Sequence, residues 1–337
     1  MQKTSEVEVK ELAPGDYGIW DELVRESSQG SIFHKSFWLV FSANAMKRGL
    51  KIYGCFESGN LIGGCSLYVR QMKFLRVAES VLPMSPYGGV VLGRPRSDNV
   101  RRQEETCVNI IRQLDKAFAE AGYDYIRITN SPEFSDVRPF TWNGWRSSVS
   151  YAYYLDVQEF SDQTVSKEVR WSARKAIEKG ITVKKLDNPD APSYYRLLSI
   201  TFRRQNLEPP VSANFLENAL KTLTSERACE MWTAETPSGD LACAEIIVWD
   251  TRRAYRWSAA SDSELRQTGA TSLLLCEILR DLKARGFKEI NLMAANTPRL
   301  AKFVAAFNPR LLPYYSVERK NLVARVAESV YRATKRK

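Results

Sequence analysis

The chain has 337 residues, 44% of them hydrophobic and 26% charged, and its 49 Lys and Arg against 39 Asp and Glu give a formal net charge of +10. That length exceeds one ordinary hydrophobic core and predicts two domains of roughly 100–200 residues, and the composition excludes a disordered chain. With His34 the single histidine and six cysteines forming no Cys-x-x-Cys pair, buried free thiols are favoured over a disulfide framework or a zinc site, and any His-rich metal site, Ser-His-Asp or Cys-His centre would have to use His34.

Along the chain, Ser36 to Arg48 reads as a helix opened by a serine cap, and Lys51 to Phe56 as a strand. The turn Glu57-Ser-Gly-Asn60 leads into the strand Leu61 to Arg70, and Met84 to Leu92 is a Pro/Gly turn entering a short apolar strand. A helix over Val100 to Ala121 has apolar Val108, Ile111, Leu114 and Phe118 on one face and stops at Gly122. Strands follow at Tyr125 to Ile128 and Ser150 to Val157.

Thr164 to Lys179 is a basic amphipathic helix carrying Lys167, Arg170, Arg174, Lys175 and Lys179, with Gly180 as its stop. Helices at Ala191 to Gln205 and Ser212 to Leu223 precede strands at Ala228 to Ala234, Leu241 to Trp249 and Ala254 to Ala260. A polar loop, Ser261 to Gly269, feeds a strong helix from Ala270 to Arg285. The strand Ile290 to Met293, the helix Pro298 to Phe307, the strand Leu311 to Val317 and a final helix, Asn321 to Arg332, complete the order.

The order occurs twice. Residues from Lys51 to Trp145 and from Ala228 to Pro309 each run strand, tight turn, strand, strand, long helix, strand, and Ala121-Gly-Tyr-Asp-Tyr-Ile-Arg-Ile128 aligns with Arg285-Gly-Phe-Lys-Glu-Ile-Asn-Leu292. This predicts a duplicated α/β fold with mixed sheets: residues 1–155, completed by 316–337, in the first domain and 156–315 in the second.

The segment Arg266-Gln-Thr-Gly-Ala-Thr271 is the main candidate for chemistry. A glycine at 269 would let an anion approach the uncapped amides of the following helix, with Arg266, Gln267, Gly269 and Ala270 forming the donor or phosphate site. The same residues also suit a plain strand-to-helix connection. Glu245, a carboxylate inside the apolar run Leu241 to Trp249, is the candidate general base, and equally a partner for Arg256. Tyr87, Gly88, Tyr151, Tyr255, Trp257, Asn296 and Tyr315 are candidates for a substrate cleft, the aromatics otherwise serving as core. Arg170, Arg174 and Arg204 are candidate phosphate ligands or solvated helix cations.

Phe33-His-Lys-Ser-Phe-Trp38, Ser85-Pro-Tyr-Gly-Gly89, Arg170-x-x-x-Arg174-Lys175-Ala176, Phe202-Arg-Arg-Gln205, Tyr255-Arg-Trp257 and the stretch from Asn296 through Phe307 to Tyr315 occur in the order of one family. Together with the Arg-x-x-Gly-x-Thr loop they resemble the Fem (FemABX-like) peptidyltransferases and the BioF2-like acyltransferases, which have tandem GNAT-like domains. The resemblance covers nearly the whole chain and implies N-acyltransferase activity toward an amine of a cell-envelope (peptidoglycan or polysaccharide) or other phosphorylated precursor. It also implies an acyl-CoA or aminoacyl-tRNA donor and no tightly bound cofactor. Where Fem transferases place an active-site lysine in Phe-Lys-x-x-Phe, this sequence has Val304 within Phe303-Val-Ala-Ala-Phe307, which favours the broader acyltransferase over a true Fem-type transfer from tRNA.

The positive charge fits anionic partners: a small-molecule or lipid-linked substrate, tRNA, or an anionic membrane surface. A non-catalytic nucleic-acid-binding protein of the same fold is the alternative. Apolar runs no longer than Leu273-Leu-Leu-Cys276 predict no transmembrane segment and a cytoplasmic protein. The amphipathic C-terminal helix with its basic end is expected to pack on the first domain or to meet a membrane.

Overall fold

The computed structural model describes residues 7–335 except 96, 187, 204 and 205; the side chains of 266 and 330–335 also fall outside the description. The elements are β1 (Val7–Glu11), α1 (Tyr17–Glu26), α2 (Ser36–Ala45), β2 (Gly49–Glu57), β3 (Asn60–Met72), β4 (Leu75–Glu79), β5 (Gly89–Leu92), α3 (Val100–Glu120), β6 (Tyr125–Thr129), α4 (Arg138–Trp142) and β7 (Arg146–Asp156). They continue with α5 (Lys167–Glu178), β8 (Thr182–Leu186), α6 (Ala191–Arg203), α7 (Ala213–Ser225), β9 (Cys229–Glu235), β10 (Leu241–Trp249), β11 (Arg253–Ser261), α8 (Ala270–Ala284), β12 (Glu289–Met293), α9 (Pro298–Ala305), β13 (Arg310–Lys320) and α10 (Leu322–Lys335).

The chain forms two compact units, residues 1–150 with 313–337 and residues 151–312. In unit 1 the strands run β1-β2-β3-β4-β6-β13, with β5 paired to β3; in unit 2 they run β7-β12-β11-β10-β9-β8. Neighbours are antiparallel except β4 with β6 and β11 with β12, the pairs that α3 and α8 connect. A parallel pair requires such a crossover, so the duplicated helix is what permits the duplicated sheet. The last strand of each unit is exchanged. The chain leaves unit 1 along β7, whose end pairs with β12, and returns along β13, whose end pairs with β6.

Local chemistry explains the repeat. The β2–β3 turn has Ser58 and Gly59 at φ 50° and 79°, and the β9–β10 turn has Gly239 at 87°. Gly122 and Gly286 occupy the same left-handed position after α3 and α8, at φ 68° and 83°, where a side chain would be strained. Helix α3 buries Ile110, Ile111, Leu114 and Phe118 on one stripe, whereas α8 buries nearly its whole circumference from Leu273 to Leu282. Around α8, Val169, Ala173, Ala176, Ile247, Leu292, Val304 and Phe307 form the core of unit 2. Val304 is completely buried, so the position that carries a lysine in the Fem pattern is here a packing position.

Ser36 does not cap its helix. Lys35 is the N-cap residue, and the Ser36 amide and hydroxyl both donate to the carboxylate of Asp21, at 2.7 and 2.6 Å. His34 is fully buried, its carbonyl accepting from Trp20 Nε1 at 2.7 Å and its Nδ1 sharing a 2.8 Å hydrogen bond with Ser31 Oγ. Burial pushes the imidazole pKa down to about 4, against the opposing influence of the Gly88 backbone and Glu133. The unfolded chain takes up this proton near pH 6.5 and the native one only near 4. Stability is therefore complete above about pH 6.5 and falls by about 3 kcal/mol as pH drops through that window. Urea titrations from pH 7 to 4 should show this slope, and His34→Gln should flatten it.

Candidate functional site

Strands β11 and β12 pair over only a short stretch: Arg253 with Glu289, Ala254 with Ile290 and Tyr255 with Asn291. Beyond Tyr255 the two strands part, and Arg256 to Ser261 pairs with β10 alone among the described residues. A notch therefore opens between parallel strands at their C-terminal ends, the end at which α8 begins. Unpaired edge amides and carbonyls in such a notch are ready to take an extended ligand as a substitute strand.

Two features hold the strands apart. A bulge between Ile246 and Ile247 pairs them with Ser258 and Arg256, so Trp257 is the extra residue and β11 bends there. On the other strand, Met293 and Ala294 both have left-handed φ values, 56° and 60°, and a second register shift lies between Asn291 and Met293. Successive non-glycine residues in that region are strained, as found at ligand clamps.

At the notch, α8 starts with Gly269 as N-cap residue at φ 84° and no side-chain cap. The Ala270 amide donates to Thr268 Oγ1 at 3.3 Å, and the Ser272 and Leu273 amides both reach the Gly269 carbonyl. Among the described residues the Thr271 amide has no hydrogen-bond partner. One helical amide thus remains for an anion, with the helix dipole behind it. Gln267 is exposed beside it, and Arg266 lies in the short 3-10 turn before Gly269 with its side chain outside the description. The glycine answers a second demand that the sequence does not reveal: a Cβ there would sit 2.1 Å from the Ser172 carbonyl of α5.

Helix α5 brings Trp171 and Arg174 to the surface, with Lys175 Nζ 4.7 Å from the centre of the Trp171 ring. Arg170, expected as a phosphate ligand, instead points Nη1 at the carbonyls of Asp162, Gln163 and Val165, at 3.3, 3.2 and 3.1 Å. Arg204 lies outside the described residues.

Glu245 is buried and held by Arg256, whose Nε donates to Oε2 at 2.7 Å and whose Nη2 donates to Oε1. Both carboxylate oxygens accept from one guanidinium, which is the ion-paired role that the sequence allowed beside the catalytic one. Arg256 also lies 5.7 Å from the Phe303 ring centre, and Tyr194 Oη donates to Ser258 Oγ close by.

Several cleft expectations need correction. Tyr255 is a core residue whose hydroxyl donates to Asp250 Oδ2 at 3.0 Å, and Trp257 is buried in the bulge. Asn296 binds the Tyr151 backbone on both sides, accepting from its amide and donating to its carbonyl at 2.9 and 2.8 Å; it thereby extends the β12–β7 edge, with the Tyr151 ring exposed. In unit 1, Tyr87 is buried against Tyr314, and the Tyr315 carbonyl accepts from the Asn130 amide. A Cβ on Gly88 would lie 2.1 Å from the Ser80 carbonyl.

These last contacts explain why the two copies differ. In unit 1 the strands corresponding to the notch are stitched shut: the Ser80 amide donates to the Arg127 carbonyl, the Thr129 amide to Ser80 Oγ, the Gly88 amide to the Thr129 carbonyl and the Val90 amide to Asn130 Oδ1. A cavity of about 290 Å³ in unit 2, lined by Asp156, Glu159, Phe160, Phe307 and Arg310 among others, lies at the opposite end of β12 from the notch.

Residues 163–298 match the family model described as acetyltransferase (GNAT) domain. Solved structures similar to this chain include FemX, at 11% identity over 91% of this chain and 96% of that one with a TM-score of 0.69. L-PGS from Bacillus licheniformis is similar at 12% identity over 95% of each chain, with a TM-score of 0.55. A tandem GNAT protein from the clavulanic acid biosynthesis pathway is similar at 14% identity over 93% of this chain and 98% of that one, also with a TM-score of 0.55. The fold is therefore the GNAT fold, present here in two compact units. No curated protein matches the sequence. Among the described residues, no helix is long and apolar enough to cross a membrane.

Proposed function

We propose that the chain is an N-acyltransferase whose donor, an acyl-CoA, binds at the β11–β12 notch of unit 2. The observation that carries this reading is the conjunction of an unpaired strand edge with the start of α8 at the same end of the same parallel pair. The pantetheine arm of the donor would pair along β11 from Arg256 toward Ser261, and its pyrophosphate would receive the Thr271 amide and the helix dipole. The similarity of residues 163–298 to acetyltransferase domains supports placing the donor in this unit.

In the reaction the amine nitrogen attacks the thioester carbonyl, a β11 amide stabilises the oxyanion, the C–S bond breaks, and coenzyme A leaves as thiolate while the nitrogen loses its proton. With Glu245 bound to Arg256, the amine is delivered neutral and its proton passes to solvent or the departing thiolate. Unit 1, whose equivalent notch is closed, takes the acceptor role, and the acceptor class that fits the positive charge is an anionic, phosphorylated or lipid-linked envelope precursor. Arg174, exposed beside the loop, serves the phosphates.

Titration calorimetry with acetyl-CoA and with bulk tRNA over a salt series tests the donor. Acetyl-CoA should bind with a shallow salt slope, and a co-crystal should show pyrophosphate at Gly269 to Thr271. An empty notch at millimolar acetyl-CoA together with steeply salt-dependent tRNA binding would instead favour an aminoacyl-tRNA donor or a non-catalytic nucleic-acid-binding role.

A further inference from the structure

One end of the unit 1 sheet presents apolar side chains to solvent. At the tip of the β3–β4 hairpin Met72 is 44% and Phe74 66% exposed, with exposed Lys73 between them. On α10, Leu322 is 76%, Val323 47% and Val326 56% exposed, while Ala324 is buried. Strand register brings the two together: Met72 pairs with Leu75, Val77 with Tyr125, and Tyr125 with Lys320, immediately before α10. Asp124 locks the hairpin to the helix. Its carboxylate accepts from the Arg76 amide and from Asn321 Nδ2, both at 2.7 Å, and its backbone bonds the Arg76 carbonyl and the Asn321 amide, both at 2.9 Å.

The same end carries exposed cations. Lys73 lies at the hairpin tip and Arg325 on α10, both exposed, and Gly49 pairs with Val69 near the end of β3, which brings the turn containing exposed Lys47 to this end of the sheet. Among the acidic groups, Glu328 is bound by Lys320 and Asp124 is committed as above, leaving the exposed carboxylate of Glu120 at the end of α3.

From this juxtaposition we infer that the hairpin tip and α10 form a docking surface for an anionic lipid bilayer. Protruding aliphatic and aromatic side chains ringed by cations suit the boundary between headgroups and acyl chains, and neither component alone anchors a protein firmly. A nucleic acid fits the patch less well, because among its exposed apolar side chains only Phe74 can stack on a base, while Met72, Leu322, Val323 and Val326 are aliphatic. The surface is independent of donor chemistry, so failure of the acyl-transfer reading leaves it standing, and the converse also holds.

Flotation of the unliganded 337-residue chain with vesicles tests it. The protein should float with vesicles of phosphatidylcholine containing phosphatidylglycerol and remain behind with phosphatidylcholine alone. Phe74→Ser and Leu322→Ser should each weaken binding roughly tenfold, and Lys73→Glu roughly fivefold or more. Because these side chains are exposed, melting temperatures should hold. No binding to anionic vesicles, equal binding to neutral ones, or undiminished binding by the Phe74→Ser, Leu322→Ser double variant would overturn the inference. So would sedimentation showing that these two substitutions abolish a dimer of the free chain, or bulk tRNA bound in a manner that depends on them.

Discussion

Glu245→Ala should cost about 3–5 kcal/mol of folding stability, one of the largest effects expected of any single substitution in unit 2. The reason is the residue left behind. Arg256 sits on β11 with its guanidinium inside the protein, and Glu245 accepts from it through both oxygens. Deleting the carboxylate strands a charge that keeps its desolvation penalty and loses its compensation. Replacing both partners removes the charges together, so Glu245→Leu with Arg256→Met should return to within about 1–2 kcal/mol of the parent. Denaturant titration of the three variants reads the cycle.

The same series decides the catalytic question. A general base is indispensable to turnover, whereas a structural pair is indispensable only to folding. The double apolar variant should retain acyl transfer within about tenfold of the parent once folded, because a general base is worth typically 10²–10⁴-fold. Loss of turnover by a factor of a thousand in a stable double variant would restore the carboxylate to the chemistry and overturn the role assigned to the ion pair.

Much of the architecture is legible in the sequence because each piece of the repeat carries local physical signals. Short apolar runs mark β2, β3 and β10, a stripe at helical spacing marks α3, and glycines at 122 and 286 mark the helix ends. What escapes has weak local signals. The edge strand β8, Thr182 to Leu186, is half-exposed and contains two lysines that blunt the edge rather than feed a core. Strands β1 and β4 span five residues each, and helix α1 enters from a Pro-Gly turn that reads as loop. The strand exchange through β7 and β13 is tertiary altogether, since nothing in either strand says which sheet it will complete.

The site divides along the same line. The Arg-x-x-Gly loop could be found because a glycine before an apolar helix is a local pattern. The notch is a place where pairing stops, and the strain at Met293 and Ala294 falls on residues with no intrinsic preference for left-handed backbone, so neither leaves a trace in composition. Glu245 shows the limit from the other side. Strand alternation allowed a catalytic or an ion-paired carboxylate, and only the position of Arg256 on the neighbouring strand separates them.

Gly269→Ala should destabilise the chain by at least about 3 kcal/mol, combining a left-handed alanine, roughly 1–2 kcal/mol, with a clash no rotamer can relieve. The obstacle is backbone: the Ser172 carbonyl oxygen at 2.1 Å and its carbon at 2.9 Å from the added Cβ. Relief would require α5 to withdraw from α8, opening the packing of Val169, Ala173 and Ala176 against that helix. Gly239→Ala is the control, because Gly239 has nearly the same φ, 87° against 84°, and a Cβ added there would meet nothing within 4 Å. It should cost only about 1 kcal/mol. The difference between the two, measured by urea denaturation, is the energy of the α5 approach. A second readout gives the donor's share of the loop: calorimetric binding of acetyl-CoA should fall with Gly269→Ala and be untouched by Gly239→Ala. Equal stability costs would show that α5 yields without penalty, and binding lost at unchanged stability would mean the glycine serves the ligand alone.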